Sequence, residues 1–205
     1  MKYATILTIL GLFCSLSNSQ EKKFHSISVF GGPTYVASSP DAPDLWTAGG
    51  NWGMSYGYGT SENGYWRLSV RSAELTIDDK KFISSISLDP NYYFLSGGGR
   101  TIFSANADAI FSPIQDTVAY PFYLVVGLGY FYLGASTIEV TRTPGFRLIA
   151  NKDSESAFLL NAGLGLILRV SKRLRCYVEC VYSLGLTSDR NTAYIPLRIG
   201  LSADF

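Results

Sequence analysis

Residues 174–186 alternate with a period of two. Leu174, Cys176, Val178, Cys180, Tyr182, Leu184 and Leu186 share one face, and Arg175, Tyr177, Glu179, Val181, Ser183 and Gly185 share the other. Successive strand side chains point to opposite faces, so the segment predicts a strand of about thirteen residues with one wholly apolar side. Ordinary strands run ~5–6 residues, whereas a tilted strand crossing a bilayer needs ~9–11. The pattern recurs at 193–205, where Ile195, Leu197, Ile199 and Leu201 oppose Pro196, Arg198, Gly200 and Ser202. It recurs at 158–170 (Leu160, Leu164 and Leu166 against Asn161, Gly163 and Gly165) and at 122–132 (Leu124, Val126 and Leu128 against Gly127 and Gly129). Shorter versions occupy 103–111, 66–71, 52–59 and, interrupted by glycine, 25–36. Eight long strands follow: 24–36, 47–60, 65–76, 101–112, 121–133, 157–170, 174–187 and 193–205.

One face of each strand is large and greasy, while the other mixes Gly, Ser and charges. In lipid every backbone polar group must pair within the protein, so only a closed sheet survives there. Eight strands leave an interior just wide enough for side chains to fill, and inward glycines make room for Arg, Tyr and Phe. The expected fold is all-β: a closed antiparallel up-and-down transmembrane β-barrel of eight strands. The connections at 61–64, 113–120 and 171–173 are short, and those at 37–46, 77–100, 134–156 and 188–192 are mostly longer. Short periplasmic turns and long outer loops are usual in bacterial barrels, which places both termini in the periplasm. Phe82 to Ile86 and Asn91 to Leu95 are strand-like but assigned to a loop. If they span, a partner strand within 136–150 would make ten, the structural alternative.

The first residues change the picture. Lys2 precedes an apolar run from Ala4 to Phe13, and Ser17-Asn18-Ser19 supplies small residues. This predicts a signal peptide over 1–19 and a barrel domain over 20–205, exported to the outer membrane. Cys14 follows the bulky Phe13, which argues against lipidation. The 205 residues carry a net charge of +1 and a single His. A near-neutral chain offers no electrostatic case for nucleic acid, and one His with three Cys disfavours His-based catalysis and metal sites. No cofactor is expected.

Read together, Phe30-Gly31-Gly32-Pro33-Thr34-Tyr35, Pro121 to Tyr130, Leu160 to Leu166, Tyr177 to Tyr182, Ile195 to Leu201 and the terminal Phe205 resemble the small outer-membrane β-barrel proteins of diderm bacteria, the OmpA/OmpX-like group. The resemblance covers nearly the whole mature chain. It implies that Phe205 acts as the C-terminal signal for barrel-assembly machinery, and that outer-membrane lipid and lipopolysaccharide surround the barrel. It implies location more firmly than activity.

The candidate interior charges are Arg67, Arg71, Asp108, Arg169, Arg175, Glu179 and Arg198. Arg67 and Arg71 lie at a height similar to Asp108 on the neighbouring strand, and Glu179 and Arg198 also lie on neighbours, so these groups can bridge across strands. They form either a gate or a charge-paired filling. The filling is the reading adopted, because a buried charge without a partner costs several kcal/mol. Cys176 and Cys180 stand roughly 13 Å apart on one strand at the usual rise, too far to bond. They read as small apolar residues facing lipid.

His25 falls at the periplasmic start of strand one, whereas lipid-modifying barrel enzymes of the resembling kind carry a His-based site at the outer leaflet. No catalytic residue is expected. Trp46, Trp52, Tyr58, Tyr65, Trp66, Tyr92, Tyr93, Tyr120 and Tyr132 read mainly as interfacial girdles. Trp46, Tyr92 and Tyr93 are the candidates for stacking on a loop ligand, whose identity the sequence does not reveal. Gly97-Gly98-Gly99-Arg100 reads as a turn, without the strand–turn–helix context of a phosphate loop. The leading function is a non-enzymatic outer-membrane barrel with a structural or surface-interaction role. A narrow porin-like channel, a lipid A-modifying enzyme, and a soluble barrel with its greasy faces inward are the alternatives.

Overall fold

The computed structural model describes residues 24–38, 45–61, 64–112, 122–142, 145–186 and 191–205. The expected signal peptide, Cys14 and Tyr120 lie outside the described residues. The barrel strands are β1 (Phe24–Ser38), β3 (Gly49–Ser61), β4 (Gly64–Ile77), β6 (Arg100–Phe111), β7 (Phe122–Leu133), β10 (Glu155–Arg169), β11 (Leu174–Leu186) and β12 (Thr192–Asp204). Each barrel strand pairs antiparallel with its neighbours in the chain, and β12 returns to β1 from Ser26↔Asp204 to Ser38↔Ala193. The sheet closes as an eight-stranded up-and-down barrel. A two-residue strand, β2 (Trp46–Thr47), adds onto the end of β4. Strand lengths of 12 to 15 residues match the expected spans.

Alternation sets the two surfaces. Leu128, Leu164 and Phe158 stand 65%, 60% and 72% exposed on the outside. Gly127, one position along from Leu128, and Asn161, three from both Leu164 and Phe158, are buried within. The interior is crowded, and glycine faces several of the large inward rings. A Cβ on Gly165 would lie 2.2 Å from the Tyr123 ring, one on Gly200 2.3 Å from Tyr177, and one on Gly185 2.2 Å from Phe131. Real Cβ contacts are never that close, so these positions admit only a hydrogen.

The strand-like loop segments do not cross the barrel. Residues Asp79–Ser85 form helix α1, N-capped by Asp78, whose carboxylate accepts from Lys81 N–H at 3.1 Å. Such a cap satisfies a helix N–H that would otherwise lack a partner. Phe94–Gly97 forms β5, which joins β8 (Ser136–Arg142) and β9 (Phe146–Lys152) in a separate three-stranded sheet. Gly97 and Gly98, with φ of 81° and 83°, turn the chain from β5 into β6. Positive φ costs glycine little. Ile77, Ile138 and Val140 form the core beneath this sheet, with Phe82, Leu88, Tyr93 and Leu95 packed on it. The ten-strand alternative is thereby resolved: the extra strands build a platform at the loop end, opposite the termini.

Candidate functional site

The lumen has two storeys. In the storey nearer the termini, Arg67 on β4 and Asp108 on β6 are register partners, as are Glu179 on β11 and Arg198 on β12. Arg67 Nη2 donates to Asp108 at 3.2 Å and to Glu179 at 3.1 Å, and its Nη1 donates to the other Glu179 oxygen. Arg198 Nη1 donates to Glu179 at 3.2 Å and lies 4.0 Å from Asp108. Tyr123 Oη donates to Glu179 at 2.6 Å. Asn161 links the carboxylate layer to the opposite wall, donating to Asp108 at 3.2 Å and accepting from Ser183 at 2.8 Å. Both carboxylates are fully buried, and each is answered by guanidinium groups, the condition under which buried ions are tolerated.

Arg71 differs. It has no carboxylate partner among the described residues; it donates to Tyr194 Oη at 2.6 Å, and its guanidinium stands 5.1 Å from that ring centre. Its Nε and Nη1 have no hydrogen-bond partner. Arg175 pairs with Asp204 at the terminal end. Arg169, expected in the interior, is exposed at the last position of β10. The alternation gives it an inward direction, yet of this register pair only Arg175 is buried.

The storey nearer the loops is apolar. Ala73, Leu75, Ile102, Phe131, Leu133, Ala157, Leu159 and Tyr194 form one buried cluster, roofed by Trp46 and Val36. Trp46, a candidate for stacking on a loop ligand, is half-buried over the lumen. Tyr65 is likewise turned inward, against Ile110, Tyr123 and Val125, and is no part of a girdle. A void of about 10 Å³ at the terminal end is lined by Arg67, Arg175 and Tyr177 among others. That is close to the least space a single water needs.

Residues the alternation does not single out complete the arrangement. Arg100 opens β6 buried and donates to Gly134 O at 3.0 Å and Asp153 O at 2.6 Å, tying the base of the β8–β9 hairpin to the barrel. Arg142 stands over Tyr92 and Tyr93 at 5.7 and 5.4 Å, a cation–π pair on the platform. Tyr92 remains 60% exposed there, and Tyr93 packs edge-on against Phe146. At the terminal end His25 bonds Tyr56 Oη at 2.6 Å and stacks on Phe205, in an outward aromatic cluster with Tyr58. His25 has no acid among these partners. Cys176 and Cys180 are unbonded on the outer face.

No family model matches the chain, and no curated protein matches it in sequence. Solved structures do match. Neisserial surface protein A superposes with a TM-score of 0.57 at 15% identity, covering 90% of this chain and all of that one. A major outer-membrane protein of Thermus thermophilus gives 0.54 at 11% identity, covering 90% and 100%. The fold is that of the small outer-membrane β-barrels. The attachment invasion locus protein of Yersinia pestis superposes on this barrel with a TM-score of 0.51 at 13% identity, over 90% of this chain and 99% of that one. At such identities the likeness concerns the path of the barrel strands, not the side chains in the lumen or on the platform.

Proposed function

We propose that the chain is an integral outer-membrane protein, exported by a signal over residues 1–19, that acts at the cell surface through its loop-end platform and has no enzymatic activity. The observation that carries this reading is the pairing of a filled lumen with an ordered platform: among the described residues the ionic lattice and the apolar cluster occupy the interior, while α1 and the β5–β8–β9 sheet have a core of their own. The apolar outer face meets lipid tails and, at its outer rim, lipopolysaccharide. Phe205, 67% exposed on that face and bonded through its backbone to His25, is the element that barrel-assembly machinery would engage.

The test takes the mature chain into detergent and planar bilayers. A folded form that migrates faster on gels until boiled, together with the absence of sustained single-channel conductance, is the expected result. Steady conductance would replace the surface role with a channel. A change in lipid A mass on expression would replace it with an enzyme.

A further inference from the structure

The turn between β10 and β11 carries exposed cations against the apolar belt. From Leu168 to Leu174 the chain carries Arg169, Lys172 and Arg173 and no acid. Val170 and Ser171 N–H groups donate to Leu174 O at 2.9 and 3.0 Å, and Ser171 Oγ accepts from the N–H groups of Arg173 and Leu174 at 3.3 and 3.1 Å. The turn is thus fixed by its own backbone, and Lys172 and Arg173 are exposed. The Asp204 carboxylate is held by Arg175, and the Asp204 N–H bonds Arg173 O at 2.8 Å. Among the described residues neither Lys172 nor Arg173 forms an ion pair. Leu168, Val170 and Leu174 stand exposed immediately beside them, Val170 by 59%.

Apolar side chains ending in free cations match a lipid with an anionic phosphate headgroup. We propose that this turn binds anionic phospholipid in the periplasmic leaflet, Lys172 and Arg173 meeting the phosphate while Leu168, Val170 and Leu174 meet the acyl chains. The inference rests on the reading of the barrel as membrane-spanning with its termini in the periplasm. Each cation near an anionic surface contributes about five-fold in affinity.

Native mass spectrometry of the folded mature chain, in micelles holding equal phosphatidylglycerol and phosphatidylcholine, tests it. The wild type retains phosphatidylglycerol at least ten-fold over phosphatidylcholine. K172Q/R173Q brings the ratio close to one, while K80Q/K81Q on α1 leaves it unchanged; all three keep heat-modifiable mobility. A heat-modifiable wild type without preference, or a preference lost only in K80Q/K81Q, overturns the proposed site and leaves the barrel reading standing. Absence of a heat-modifiable form in either lipid overturns both.

Discussion

The two storeys of the lumen fill the same bore by opposite means. Near the termini, Arg67, Asp108, Glu179 and Arg198 make a closed ionic lattice in which every carboxylate is shared by more than one donor. Near the loops, Phe131, Leu159, Leu133 and Ile102 fill the bore with hydrocarbon. The ionic storey gains nothing over hydrocarbon in net stability as a rule, but it fails abruptly: remove one partner and the rest become unpaired buried charges. The apolar storey fails in proportion to the volume removed.

This contrast predicts a ranking. Glu179→Ala strips Arg67, Arg198 and Tyr123 of their common acceptor, and the cost is about 3–5 kcal/mol, read as a lowered urea midpoint for unfolding in detergent. A midpoint near that of the wild type would show that the lattice is solvated, not sealed. Leu159→Ala opens a cavity in the upper storey and costs about 2–4 kcal/mol by the same measurement, with the ionic lattice intact. Arg71→Met removes an interior guanidinium that has no carboxylate partner among the described residues. It changes stability by less than about 1 kcal/mol, in either direction. A loss as large as that of Glu179→Ala would mean that Arg71 belongs to the lattice after all.

The outer face was the most legible feature of the sequence, because alternation writes it residue by residue. Leu160, Leu164 and Leu166 need no partner to declare their side. Arg67 with Asp108 and Glu179 with Arg198 were legible for a related reason: they sit opposite each other on adjacent strands. The bonds from Arg67 and Tyr123 to Glu179 were not, since β4 and β7 do not neighbour β11 and meet it only when the barrel closes. Arg169 shows the limit of the rule at a strand end, where a direction inferred from alternation no longer says whether lumen or solvent is reached, whereas Tyr65, in phase with Arg67, follows the alternation inward despite its reading as a girdle residue. Trp46 shows it for loops: nothing in its neighbourhood indicates that it folds back over the bore. The segment Phe82 to Ile86 carried apolar residues at mixed spacing, and the Asp78 cap decided in favour of a helix.

The central claim is the direction of the two faces, and native Cys180 reports on it. A nitroxide attached at Cys180, with Cys176 replaced by Ser, in the mature chain reconstituted into vesicles, gives collision rates with oxygen, which partitions into lipid, and with a water-soluble nickel chelate. The account predicts frequent oxygen and scarce nickel collisions at position 180. Frequent nickel collisions there would place the leucine-rich face in water and contradict it.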